Sequence, residues 1–129
     1  MKFSINQQDL QLALNYCQGV IEKRSTLPIL SNILLEAQNH KLTITATDLD
    51  LIFIHNLENI EVFEEGKTTT TSSIMYDIVR KFSSGKKINL SLKDSNKLHL
   101  ESEKSNFNLN CISATEFPIT DENFSQNEF

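Results

Sequence analysis

One plan is written twice along this chain: a short strand, an amphipathic helix and three alternating strands, then much the same again. Phe3 and Ile5 alternate with polar neighbours as an opening strand, and Asn6 is placed to cap a helix by accepting from its first-turn amides. Leu10, Ala13/Leu14, Cys17 and Val20/Ile21 recur at three and four, an apolar stripe faced by Gln8, Gln11, Asn15, Gln18 and Glu22. Lys23-Arg24-Ser25-Thr26-Leu27-Pro28 follows, with Pro28 holding its predecessor extended. Ile33-Leu34-Leu35 starts a strand, and Asn39-His40 reads as a hairpin turn. Leu42, Ile44 and Ala46 then alternate with Thr43, Thr45 and Thr47 up to Asp48. Leu51-Ile52-Phe53-Ile54 begins a third strand, apolar enough to predict cover on both sides.

Glu64-Glu65-Gly66-Lys67 reads as a turn, and the run Thr68 to Thr71 as strand, because β-branched side chains suit a pleated surface. Ser72 or Ser73 is then the expected cap of a second helix with Ile74/Met75, Ile78/Val79 and Phe82 on one face, closed by Ser84-Gly85. Three alternating strands complete the copy: Ile88/Leu90/Leu92, Leu98/Leu100 and Phe107/Leu109/Cys111. Turns fall at Asp94-Ser95-Asn96 and Lys104-Ser105, and Lys41-Leu42-Thr43-Ile44 is echoed in Lys97-Leu98-His99-Leu100. Two antiparallel sheets with both helices packed on one side would bury both helical stripes, an α+β, internally duplicated fold.

A chain of 129 residues is one domain by the usual sizes. Cys17 and Cys111 stand alone without metal-ligand spacing and read as small apolar residues in a reduced compartment. The start Met1 to Asn6 lacks the apolar block of a signal peptide, and no apolar run approaches the roughly 18 residues of a membrane span. A cytoplasmic protein without membrane attachment is the expectation. The formal charge of −5 argues against gripping nucleic acid by charge alone, since phosphate neutralisation dominates such binding.

No catalytic constellation emerges. His40, His55 and His99 fall on a turn, a strand end and an exposed strand position, without partners at ligand or triad spacing. Asp48 and Asp50 could hold a divalent metal as a hydrolase would, although such residues commonly close turns. With Gly19, Gly66 and Gly85 as the only glycines, no phosphate-cradling loop exists, and no G-x-S-x-G elbow appears. Two basic groups remain: Lys23-Arg24 after the first helix, and Arg80-Lys81 with Lys86-Lys87 after the second. They are read either as complements to helix dipoles or as weak phosphate contacts on a surface shared by both helices. The uncharged face of Gln8, Gln11 and Asn15 would suit such a surface.

Met1-Lys2-Phe3 resembles the opening of bacterial beta sliding clamps, the beta subunits of DNA polymerase III. Arg24, Thr26-Leu27-Pro28-Ile29-Leu30 and Asn32, continuing into Leu34-Leu35, are similar to the same family. So are Thr45 with Thr47-Asp48-Leu49, and Phe107 and Leu109 followed by Ala114 and Glu116-Phe117-Pro118. The resemblance covers Met1 to about Pro118 and implies a DNA clamp fold. It further implies the first of three like domains in a subunit that pairs head to tail into a homodimeric ring around double-stranded DNA. Such a ring tethers the replicative polymerase as a processivity factor and is placed by a clamp loader. Residues 1–120 would be that first domain, and 121–129 a linker toward a second domain. Topology would then replace adhesion, which answers the acidic charge.

By the same resemblance Arg24 is the leading DNA contact, with Lys23, Arg80 and Lys81 beside it. Phe107 and Leu109 would lie on the edge strand meeting the partner subunit, and Lys104 would serve ion pairs across that junction. Ser73, Ile74 and Asn106 stand where some clamps carry basic side chains, so the junction is expected to lean on apolar burial. The implied role is a non-catalytic, cofactor-free subunit of a DNA-directed DNA polymerase holoenzyme, whose nucleotidyltransferase activity resides elsewhere. The competing readings are a protein-interaction module unconnected with DNA, and the hydrolase built on Asp48 and Asp50.

Overall fold

Alternation and helical periodicity become eleven regular elements in the structure, a computed structural model that describes residues 1–21, 31–47, 51–58, 60–94 and 96–118. In chain order these are β1 (Lys2–Asn6), α1 (Gln7–Gln18), β2 (Asn32–Gln38), β3 (Lys41–Thr47), β4 (Ile52–Glu58), β5 (Glu61–Glu64) and β6 (Gly66–Thr71). Then follow α2 (Ser72–Val79), β7 (Lys87–Lys93), β8 (Lys97–Ser102) and β9 (Ser105–Ile112), with a 3-10 turn at Ala114–Glu116.

The duplication governs the topology. Each half ends in a meander, β2-β3-β4 or β7-β8-β9, and each opening strand pairs with the first meander strand of the other half. Phe3 sits opposite Leu90 and Ile5 opposite Ile88 on β1–β7, while Leu35 sits opposite Thr68 on β2–β6. This exchange makes neither half complete alone. The last strand of each half then reaches back to its own opening strand. In β9 one strand does both tasks, pairing β8 along 105–110 and β6 through Cys111 and Ile112. In the first half the tasks are divided: β4 pairs β3, and after Asn59-Ile60 the chain resumes as β5, which pairs β1. All strands therefore form one antiparallel series, β4-β3-β2-β6-β9-β8-β7-β1-β5, rather than two separate sheets.

Side chains explain the turns. Asn39 and His40, at φ 52 and 60, give the left-handed pair that matches strand twist in a two-residue hairpin. Asp94 and Glu103 carry the same sign at the other hairpins. Gly85, at φ 83, turns the chain from α2 into β7 where a side chain would be strained. Gly66 packs closely on the first residue: a Cβ there would stand 3.0 Å from Met1 Cβ, so Met1 would have to give by a few tenths of an ångström.

One core gathers Phe3, Ile5, Ile33, Leu35, Ile44, Ile88, Leu90, Leu98 and Leu100 from the strands with Leu10, Ala13, Leu14, Cys17, Met75 and Val79 from the helices. The helices run antiparallel, tied at both ends: Gln7 Nε2 donates to the Val79 carbonyl at 2.9 Å, and Ser72 Oγ to Gln18 Oε1 at 3.1 Å.

Three expectations change. Leu51 to Ile54 is not covered on both faces; β4 is an outermost strand, with Ile52 and Ile54 42% and 43% exposed. An apolar run cannot reveal that its second neighbour is missing. Neither serine caps α2: Thr71 holds the N-cap position without a side-chain capping bond, and Ser72 is buried and turned toward Gln18. The turn expected over 64–67 shrinks to Glu65 between β5 and β6.

Candidate nucleic-acid and subunit interfaces

The outward face of the helix pair begins with Asn6, whose Oδ1 accepts from the Gln8 amide at 2.9 Å and starts α1. Gln8, Leu12, Asn15 and Tyr16 are exposed on that helix. The polar face foreseen from Gln8, Gln11 and Asn15 thus exists, but Leu12 and Tyr16 interrupt it. They follow the i, i+4 spacing of a helix face, a signal masked by the stronger stripe opposite. Tyr16 is braced by Phe53 and His55 of β4, with ring centroids 6.4 and 5.7 Å away. Between the helices lies a groove of about 430 Å³ lined by Gln8, Gln11, Leu12, Asn15, Tyr76 and Ser84.

Arg80 caps the C-terminus of α2. Its guanidinium stands 5.1 Å from the Tyr76 ring centroid and 3.5 Å from Asp77 Oδ1, in a largely exposed pair of little energetic worth. Lys81 follows, exposed. Lys86 lies at the same end of the groove, since its carbonyl accepts from the Gln7 amide at 2.9 Å. Lys87 pairs with Glu61 at 2.9 Å across the sheet. Lys23 and Arg24 lie outside the described residues, as do Asp48 and Asp50.

The second feature is a bare strand edge. Among the described residues, β9 pairs only with β8 between Ser105 and Asn110, because β6 reaches it no earlier than Cys111. Phe107 is half-buried, its ring edge-to-face with Phe82 at 5.5 Å, and Leu109 is buried in the core cluster. Both therefore serve packing as well as bordering the edge. Beside them a pocket of about 260 Å³ is lined by Thr70, Thr71, Ile74, Asn108, Leu109 and Asn110, without a charged side chain. Lys104 projects, exposed, from the β8–β9 turn.

The remaining reactive residues are occupied structurally. His99, half-buried, lies between Asn108 Oδ1 at 2.8 Å and Glu101 Oε1 at 3.4 Å; His55 belongs to the aromatic group under Tyr16; His40 is a turn residue. Burial pushes the Cys17 thiol up to about 12 and raises that of Cys111, so both stay protonated at neutral pH. Among the described residues no group of three His, Cys, Asp or Glu side chains could hold a metal ion, and no helix is long and apolar enough to cross a membrane.

Comparison with known proteins agrees at every level. The chain is 40% identical over 121 residues to the beta sliding clamp of Caulobacter vibrioides NA1000, covering 92% of this chain and 32% of that protein. It is 33% identical over 129 residues to the beta sliding clamp of Escherichia coli K12, covering all of this chain and 35% of its relative. Among solved structures, the Caulobacter crescentus pol III beta superimposes with a TM-score of 0.87 at 38% identity, over 94% of this chain and 32% of the other. A sliding clamp from Bartonella birtlesii bound to griselimycin gives 0.88 at 32% identity, over 93% of this chain and 32% of that one. The chain thus spans about a third of the length of these relatives. Residues 1–121 match the family described as DNA polymerase III beta subunit, N-terminal domain, and the chain belongs to that family.

Proposed function

We propose that this chain supplies the first domain, residues 1–120 with a linker at 121–129, of a ring that encircles duplex DNA and acts as a processivity factor for the replicative polymerase. The supporting observation is the arrangement of edges: among the described residues, β4 and the 105–110 stretch of β9, equivalent strands of the two halves, each lack a partner on one side. A module with free strand edges in both of its halves can be joined to like modules at both ends, and head-to-tail joining closes when the rotation permits. In this reading the β9 edge, with Phe107, Leu109 and the uncharged pocket by Ile74, receives the partner subunit, and Lys104 adds a solvent-exposed ion pair. The exposed Leu51, Ile52 and Ile54 beside the β4 edge suit cover by the second domain.

The helix pair then faces the DNA. Arg24, Lys23, Arg80 and Lys81 make its phosphate contacts, few enough to leave the ring free to slide. Net acidity is tolerable because retention is topological. The domain performs no chemistry, needs no cofactor and works in the cytoplasm; polymerase and clamp loader engage the full-length subunit. The test is retention of the full-length protein on DNA: it stays on nicked circles and runs off when they are linearised. Equal loss from both forms would remove the encircling role. The purified chain incorporates no nucleotides on a primed template.

A further inference from the structure

The groove between α1 and α2 has a chemistry that duplex phosphates alone do not call for. Tyr76 forms part of its wall, half-buried, with Arg80 over the ring at 5.1 Å. Gln8, Gln11, Asn15 and Ser84 offer hydrogen-bond donors and acceptors without fixed charge. At the end where α2 stops and α1 starts stand Lys81 and Lys86, both exposed and, among the described residues, in no ion pair. A π surface, neutral amides and two exposed cations at one end match a flexible polyanion whose bases can leave the stack. Intact duplex keeps its base faces covered, so the tyrosine would gain nothing from it.

We propose that this groove binds single-stranded DNA, one unpaired base stacking on Tyr76 while the flanking phosphates meet Lys81 and Lys86. Amides that both donate and accept tolerate any base edge, so binding is independent of sequence. The proposal rests on the reading that the helix pair faces DNA, but it concerns unpaired nucleotides, which encirclement does not require.

The chain reports on itself: it has no tryptophan and only two tyrosines, Tyr16 and Tyr76. Titration of the 129-residue chain with oligo(dT), followed by tyrosine emission, should quench the signal; an abasic oligomer of equal length should bind at least about tenfold more weakly, the loss of one base stack. Tyr76→Ala loses the same factor, Tyr76→Phe keeps affinity when followed by anisotropy of labelled oligo(dT), and Tyr16→Phe keeps the quench. With two phosphates neutralised, log affinity falls against log salt with a slope of about −1.4, and Lys81→Gln halves it. Equal affinity for the abasic oligomer, or no binding by the wild-type chain, overturns the proposal even if Tyr76→Ala does not fold. Ring retention on circular duplex is read separately on full-length protein, so either idea can fail without the other.

Discussion

The two halves of this domain share a topology and differ in how firmly each is built. The first half has the longer helix, twelve residues against eight, started by a side-chain bond from Asn6. That helix buries Leu10, Ala13, Leu14 and Cys17, whereas α2 buries Met75 and Val79 with Ser72. The second half has the firmer sheet: β9 runs unbroken for eight residues where the first half divides the same path between β4 and β5. Duplication therefore fixes pairing order, and the side chains then distribute stability unevenly between equivalent elements. The bare β9 edge is backed by core residues, while the bare β4 edge leaves isoleucines in solvent. Two equivalent edges have become suited to different neighbours.

If the helix seats differ as described, Leu14→Ala is the most damaging single change. Leu14 is fully buried in the common core, and truncation should cost up to about 5 kcal/mol by lost transfer energy and the cavity left behind. Val79→Ala, removing less from the shorter helix, should cost about half as much. Urea unfolding followed by circular dichroism compares them; equal losses would deny the asymmetry.

Cys17 and Cys111 occupy the two halves and sharpen the contrast by pH. Burial raises the Cys17 thiol from 9.0 to about 12, so the folded state holds its proton after the unfolded chain has lost it. Stability from this group is complete below pH 9 and drains away as pH climbs from there toward 12. The ceiling is about 4 kcal/mol, from three units at about 1.4 kcal/mol each. Cys17→Ala should flatten the alkaline limb of the stability profile, and Cys111→Ala should change it less. In the native protein at pH 8, iodoacetamide should label Cys111 well before Cys17, as peptide mass spectrometry would register.

Much of the first half was legible because its signals are local. The α1 stripe, the β3 alternation and the Asn39-His40 turn each depend on neighbours within a few residues. What escaped was set by distant partners. Ile52 and Ile54 read as covered because nothing in Leu51 to Ile54 says that β4 has a single neighbour. Glu61–Glu64 became strand through pairing with β1, against the weak propensity of its glutamates. Of the candidate contacts, Arg80 and Lys81 lie beside the helix groove, and Phe107 and Leu109 lie where β9 pairs with β8; that strand position came from the family resemblance, since alternation alone does not separate an edge from the core. Tyr16 and Tyr76 carry no signal of their exposure in the sequence, because an aromatic at helical spacing reads as core until its neighbours are known.

The start of α1 offers a smaller test. Asn6→Ala removes the acceptor held 2.9 Å from the Gln8 amide and should cost about 1 kcal/mol. A variant as stable as the wild type would mean that α1 is held by its buried stripe alone.

The complementary change at α2 should run the other way. Thr71 already has the extended backbone of an N-cap, φ −67 and ψ 123, yet its hydroxyl caps nothing and instead lies 3.3 Å from Asn32 Oδ1. Thr71→Asp puts a carboxylate at a position whose backbone needs no adjustment, where it can accept from a first-turn amide and meet the positive end of the helix dipole. The first turn of α2 contains no acidic residue to compete. Losing the long Asn32 contact subtracts little, so a net gain of about 0.5 kcal/mol is expected, measured as a higher urea midpoint with an unchanged slope. The gain should shrink in high salt, because the dipole part is screened while the hydrogen bond is not. A loss of stability in both salt conditions would show that Thr71 matters as a strand residue of β6, and that the missing cap on α2 is not the weakness the comparison of the helices makes it.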